Sequence, residues 1–345
     1  MSRQSVLQCN VSAMQEGMSM ERKQGVSVAM CTYNGAKYIE EQLQSIAAQT
    51  MLPLEIVICD DCSTDETAEI VAAFARSAPF EVKFFMNEGN VGSSKKGITR
   101  NFEKASALCS GQYIAMCDQD DKWVPEKLAR LVAKLESDPG FGGVFSDAQL
   151  MDPQSQPKET TLWQANGFSP SEQERLLRSE SLAVLLSMTK VYGCTLMVKA
   201  DLLDLILPVP PSWWFDAWCA CAIAVYSKLA FVTEPLLYYR IHPSQQVGAV
   251  APTFKERLRK WREPAKKHVS EAEPMLAELL ERLQAHPELV SPVQLDYLRG
   301  RLALFQVRSI LPASRLMRIG KVLPQVGNYQ RYFNGWRSIV KDLTY

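Results

Sequence analysis

Four short apolar runs, each followed by a polar turn and then a segment of helical periodicity, predict an α/β fold with a mostly parallel sheet over residues 26–121. Two of these runs end in acid clusters. One reads Glu55-Ile56-Val57-Ile58-Cys59-Asp60-Asp61-Cys62-Ser63-Thr64-Asp65, the other Tyr113-Ile114-Ala115-Met116-Cys117-Asp118-Gln119-Asp120-Asp121. Apolar runs this short fit strands buried on both faces. Ligands in such sheets bind beyond the strands' carboxyl ends. Carboxylates crowded onto that edge repel each other, so a cation, or a polyhydroxyl ligand bearing a diphosphate, is expected between them.

The elements follow in order. Residues 25–31 read as the first strand, ending at Thr32-Tyr33-Asn34-Gly35. Ile39, Leu43 and Ile46, spaced i, i+4, i+7, predict a helix over 37–49. Pro53 resets the chain before the second strand, and Ser63, Thr64 and Asp65 supply capping groups for a helix over 66–77. A third strand is expected over 82–86, a Gly/Ser loop over 90–96, a helix over 99–110 and the fourth strand over 113–117. Lys95, Lys96 and Arg100 fit either phosphate contacts or a solvated loop. Residues 123–136 read as a helix, 143–148 and 192–198 as strands, 152–180 as polar and irregular, and 229–240 as a last strand. From about 253 onward the pattern is helical, with breaks at Pro264, Pro287, Pro312 and Pro324.

Composition narrows the function classes. Lys plus Arg and Asp plus Glu number 38 each, so overall charge gives no reason to expect a nucleic-acid partner. The nine cysteines have no regular spacing and several sit inside apolar runs, as expected of reduced thiols in a cytoplasmic protein. Cys59 and Cys62 have C-x-x-C spacing, but the two acids between them disfavour a reactive thiolate. No apolar run reaches the ~18–20 residues of a membrane span. Neither G-x-G-x-x-G nor G-x-x-x-x-G-K-[ST] occurs at the first strand, so a diphosphate would lean on a cation. The expected organisation is a flexible segment 1–25, a catalytic domain 26–250 and a helical extension 251–345.

Val28-Ala29-Met30-Cys31-Thr32-Tyr33-Asn34-Gly35, Asp60-Asp61-Cys62-Ser63-Thr64-Asp65 and Asp118-Gln119-Asp120-Asp121-Lys122-Trp123 resemble the signature blocks of family 2 glycosyltransferases. The likeness continues through Phe145-Ser146-Asp147-Ala148, Trp214-Phe215-Asp216-Ala217-Trp218 and Leu237-Tyr238-Tyr239-Arg240-Ile241-His242-Pro243. Together these are similar to the rhamnosyltransferase-like enzymes of bacterial surface polysaccharide synthesis.

The resemblance implies the GT-A fold and a nucleotide-diphosphate sugar donor. It also implies a saccharide or lipid-linked acceptor and inverting transfer dependent on Mg2+ or Mn2+. By the same likeness Thr32, Tyr33 and Asn34 wall a nucleobase, and Asp61 accepts its imide N–H. Asp118 contacts the ribose, and Asp120 binds the metal with His242 as a further ligand. Arg240 pairs with phosphate or with an acid of the cluster. Asp216, collared by Trp213, Trp214, Phe215 and Trp218, is implied as the general base. The usual His-Asp-Trp-Trp block there reads Phe215-Asp216-Ala217-Trp218.

Two other classes stay open on residues alone. A nucleotidyltransferase also presents acids at strand ends, although Thr32-Tyr33-Asn34-Gly35 lacks its basic triphosphate loop. A non-catalytic binding module of the same fold would be expected to have lost at least one acid. From Arg299 onward lie nine basic residues and one acid, Asp342, mixed with aromatics. That tail fits either a helical cap packed on the catalytic domain or a basic amphipathic segment on the inner face of an anionic membrane.

Overall fold

A computed structural model describes residues 22–344 except 91, 93, 179, 246–264 and 334. Most of the expected segment 1–25 and the expected boundary at 250 lie outside the described residues, as does Pro264. Residues 23–25 already belong to the first strand.

The first half alternates as expected: β1 (Lys23–Thr32), α1 (Ile39–Ala47), β2 (Glu55–Asp60), α2 (Thr67–Ala75), β3 (Glu81–Met86), α3 (Lys95–Ala107) and β4 (Gly111–Cys117). β1 pairs in parallel with β2 and β4, and β2 with β3. Register aligns Thr32 with Asp60 and Met30 with Cys117. The Thr32-Tyr33-Asn34 turn and both acid clusters therefore leave the sheet at one edge.

The second half widens the sheet. It comprises β5 (Lys122–Trp123), α4 (Lys127–Glu136), β6 (Phe141–Met151), β7 (Pro157–Thr161), α5 (Leu162–Asn166), α6 (Pro170–Leu177), α7 (Ser181–Leu185), β8 (Leu196–Lys199), α8 (Leu203–Ile206), α9 (Phe215–Tyr226) and β9 (Lys228–Arg240). Strand order is β3-β2-β1-β4-β8-β6-β9-β5, with β7 on β6. β8 runs antiparallel to both β4 and β6, and β9 is parallel to β6, so the sheet is mixed.

Three readings are corrected. Residues 152–180 are not irregular: β7, α5 and α6 lie there, and Thr161 with Gln164 and Ser169 with Glu172 form capping boxes. Those pairs satisfy the first-turn N–H groups, while Trp163 and Phe168 pack in T-shaped contact and lie against Phe145. The strand expected over 192–198 opens as a 3-10 turn over Gly193–Thr195. Residues Lys122–Trp123 pair with β9 instead of starting the helix, because Trp123 N–H is taken by Ser45 Oγ and the next N–H by the Leu236 carbonyl.

The C-terminal helices are α10 (Ala265–Gln284), α11 (Pro292–Ser309), α12 (Arg315–Val322), α13 (Val326–Tyr332) and α14 (Trp336–Thr344). α10 and α11 pack on the catalytic core. Leu276, Leu279, Leu283 and Leu298 join α9 in one buried cluster, and Trp213 Nε1 donates to the Met275 carbonyl at 2.9 Å. A separate small core of Leu304, Leu311, Val322, Tyr329, Tyr332 and Ile339 holds α12–α14 together. No described helix is long and apolar enough to cross a membrane.

Candidate functional site

The carboxyl edge of β1, β2 and β4 opens into a cavity of about 390 Å3, lined among others by Tyr33, Asp61, Asp118, Asp120, Tyr239 and His242. Local geometry builds each wall. Asn34 adopts a left-handed backbone (φ 48°), and its Oδ1 accepts from Thr64 N–H at 2.9 Å. Its own N–H donates to Ser63 Oγ at 2.8 Å, so this side chain ties the first two loops together. Thr32 is nearly buried, and its hydroxyl donates to Asp60 Oδ2 at 2.7 Å. Asp60 also accepts from the Ser63 N–H and hydroxyl, at 2.7 and 2.6 Å. It is a buried loop anchor, and Thr32 is its partner, so a ligand hydroxyl contact by Thr32 would have to displace that bond.

Tyr33 is set by a residue that sequence reasoning passed over. Its N–H donates to Gln119 Oε1 at 2.8 Å, and Gln119 Nε2 donates back to the Tyr33 carbonyl at 3.0 Å. The middle residue of Asp118-Gln119-Asp120 thus clamps the first loop to the second acid cluster. Asp61 is 6% exposed, and it accepts from Gly92 N–H at 3.1 Å and Asn87 Nδ2 at 3.3 Å. Asn87 is itself held by Asn101 and Lys104. No periodic or motif signal marks these amides in the sequence. Lys95 is engaged by protein groups, with its ammonium on the Ser212 carbonyl at 2.8 Å and over the Trp214 ring.

Asp120 Oδ2 and His242 Nε2 lie 2.8 Å apart, while His242 Nδ1 is buried without a hydrogen-bond partner. Both residues line the cavity. One carboxylate and one imidazole suit a divalent cation completed by phosphate oxygens and water. A second grouping, Asp118, Asp121 and Cys194, has its ligand atoms within 4.8 Å of one another. It suits a hard cation poorly. A thiol is part of it, and the fully buried Lys127 ammonium, bonded to the Cys194 carbonyl at 2.6 Å, already supplies positive charge beneath the acids. Burial, and then the neighbouring acids, push the Asp118 and Asp121 carboxyls above the usual range. A cation in the cavity would reverse that trend.

Arg240 does not line the cavity, and of the two partners expected for it, phosphate or an acid of the cluster, it is found at the acid cluster. It is fully buried, and its Nε donates to the Asp120 carbonyl at 2.7 Å. One terminal nitrogen donates to Ser155 Oγ at 2.8 Å and the other to Glu41 Oε2 at 2.6 Å. Its backbone N–H holds Asp121 Oδ1 at 3.1 Å. With its side-chain donors spent on protein, Arg240 positions the second acid cluster from behind. The Tyr38 ring fills the space between, 4.5 Å from the guanidinium and 4.7 Å from the His242 ring. Glu41, on a helix face that reads as plain surface, is the charge partner that the sequence did not reveal.

Asp216 lies in the first turn of α9, where exposed N–H groups favour an anion. Its Oδ1 accepts from Ala217 N–H at 2.7 Å and its Oδ2 from Gly193 N–H at 3.2 Å. Burial outweighs those bonds and raises the carboxyl to about 6, and the charge of Asp216 is felt at Asp118. The start of α9 stands between two hollows. Phe215 stacks on Phe102 of the first cavity at 5.5 Å, and Trp213 and Ala217 line a second of about 1120 Å3 between α7, α9 and the C-terminal helices.

A family model described as glycosyl transferase family 2 matches residues 27–186. An uncharacterised glycosyltransferase of Nostoc sp. (strain PCC 7120) is 29% identical over 241 residues, covering 67% of this chain and 69% of that protein. The dTDP-rhamnosyl transferase RfbG of Shigella flexneri is 36% identical over 103 residues, 30% of this chain and 35% of its own length. The match spans only about a third of the length of three mycobacterial relatives, 32% in each. Among solved structures, S. aureus TarS 1-349 in complex with UDP-GlcNAc aligns over 93% of this chain and 90% of that one. Its TM-score is 0.52 at 19% identity, a likeness of fold.

Proposed function

Because this chain belongs to glycosyl transferase family 2 through residues 27–186, we propose that it is an inverting, metal-dependent transferase. It would move a sugar, rhamnose in our reading, from a nucleotide diphosphate to a saccharide or lipid-linked acceptor of surface polysaccharide synthesis. We place it in the cytoplasm, peripheral to the inner membrane face. The supporting observation is that one cavity gathers Tyr33, Asp61, Asp118, Asp120 and His242; Asp216 is not part of its lining, and its charge contributes to the raised Asp118 carboxyl.

In this reading Tyr33 offers a ring to the nucleobase and Asp61 accepts its imide N–H. Asp118 takes a ribose hydroxyl. Asp120 and His242 would hold Mg2+ or Mn2+, which supplies charge neutralisation for the departing diphosphate. The acceptor hydroxyl attacks the anomeric carbon opposite the leaving oxygen, and Asp216 Oδ2 takes its proton. The new glycosidic bond forms as the bond to the diphosphate breaks. A carboxylate raised to about 6 is both ionised and basic near neutral pH. The second hollow, lined by Ala217 next to Asp216 in the chain, is the route we assign to the acceptor.

A thermal-shift screen of UDP-, GDP- and dTDP-sugars, each with and without Mn2+, tests the reading. The matching donor at a hundred times its Kd should add about 2.7 kcal/mol of apparent stability, and only with the cation. Asp61→Ala should lose most of that gain. No shift with any nucleotide sugar would remove the donor assignment.

A further inference from the structure

We propose that α12 and α14 together form a docking surface for an anionic lipid bilayer. Of the eight residues of α12 only Val322 is buried. Leu316 is 80% exposed, Ile319 41% and Leu323, just past the helix, 51%. Their i, i+3, i+7 spacing puts them on one stripe. α14 adds Trp336 at 62% and Val340 at 45%, spaced i, i+4. A helix this short is not stable alone and takes its stability from burying a face. Here the chain itself leaves the apolar stripe uncovered. Contiguous apolar surface rimmed by polar groups marks a contact site.

The charge identifies the occupant. Arg315, Lys321 and Arg337 are exposed on the same two helices. The one acid between residues 299 and 345, Asp342, is fully buried. Arg308 Nε donates to its Oδ2 at 2.6 Å, the second Arg308 bond reaches Oδ1 at 2.9 Å, and the Tyr329 hydroxyl occupies Oδ2 as well. Arg315 and Arg337 therefore flank the two apolar stripes, Lys321 lies across α12 from its stripe but within a Debye length of a surface bound there, and no acid of residues 299–345 is exposed to oppose them. Arg301 and Arg308, which count as basic residues in the sequence, are buried and contribute to packing instead. A second copy of the chain on a twofold axis would set this basic patch against the same basic patch of its partner, with no exposed acid of residues 299–345 to offset it. A layer of anionic headgroups over acyl chains satisfies both features, with apolar side chains entering the boundary and an indole placed at it.

This deepens the reading of an enzyme serving a membrane-borne acceptor, yet it stands on surface chemistry alone. Its test is therefore run without donor or acceptor, and a failure leaves the transfer reaction untouched. The full chain is co-sedimented with phosphatidylcholine vesicles containing phosphatidylglycerol, and with phosphatidylcholine alone, over a salt series. Binding is expected on the anionic vesicles and should fall steeply with salt. Arg315→Gln with Lys321→Gln and Arg337→Gln should weaken it about a hundredfold, roughly fivefold per charge. Leu316→Ser with Ile319→Ser and Leu323→Ser should weaken it at least about tenfold. All six side chains are exposed, so an unchanged Tm verifies folding. Arg178→Gln, at an exposed site on the catalytic domain, should bind as the parent does. Equal binding to neutral vesicles, or unaltered binding of both triple variants, would overturn the proposal. So would a dimer in sedimentation velocity that the triple variants dissociate.

Discussion

Asp216→Asn separates base catalysis from binding. The native carboxylate accepts two backbone N–H bonds, from Ala217 at 2.7 Å and Gly193 at 3.2 Å. An amide has one oxygen, so one of those donors would face an NH2 group. Losing that bond in a buried setting costs about 1–3 kcal/mol, a fall in Tm of roughly 2–6 °C that leaves the protein folded at 25 °C. The catalytic loss should be larger, about 10²–10⁴-fold in turnover, with donor affinity retained. The pH profile makes the test sharper. Burial raises the Asp216 carboxyl to about 6, and a general base works only when deprotonated. In the parent protein kcat/KM should therefore rise with pH through about 6 and level off above it, standing near one tenth of the plateau at pH 5, about the value for a single titrating group. In Asp216→Asn that limb should vanish from the residual rate. Sugar transfer, or hydrolysis of the donor where water replaces the acceptor, measures both quantities from pH 4.5 to 8. A variant with near-parent turnover, or one that keeps the limb at about 6, would refute Asp216 as the base and move attention to Asp121 or Asp147.

Two further substitutions probe the rest of the site. Asp120→Asn should abolish the Mn2+ dependence of donor binding, read by calorimetry; undiminished dependence would exclude Asp120 as a ligand. Gly35→Ala would drive a Cβ into Gln119 Oε1, opening the clamp on Tyr33, so donor KM should rise at least about fivefold while turnover at saturation stays within about twofold. An unchanged KM would mean that the Tyr33 loop does not need Gln119.

The sequence by itself determined the α/β order and the edge at which the acids gather. Apolar runs of strand length followed by helical periodicity leave few parallel arrangements, and parallel pairing puts the ends of β1, β2 and β4 side by side. The acid motifs and Tyr33 are legible because their spacing ties them to a strand end, whereas Asp216 stood out only through the family resemblance, and the helix that it opens, Phe215–Tyr226, was not expected. The capping boxes Thr161-x-x-Gln164 and Ser169-x-x-Glu172 were passed over, because the polar composition there conceals two helices.

Only the tertiary structure decided what each charged group faces. Arg240 was expected to meet phosphate or an acid of the cluster, but chain segments 199 and 85 residues away in sequence bring Glu41 and Ser155 onto it and turn it inward. Lys127 sits in an amphipathic helix pattern, yet it is fully buried beneath Asp118 and Asp121. The basic tail divides in the same way. Arg308 closes on Asp342 inside a small core while Arg315, Lys321 and Arg337 stay outside. Local pattern fixes which side of an element a residue occupies. Which charge it meets there depends on segments distant in sequence, because a buried charge is tolerated only where the fold brings it a partner.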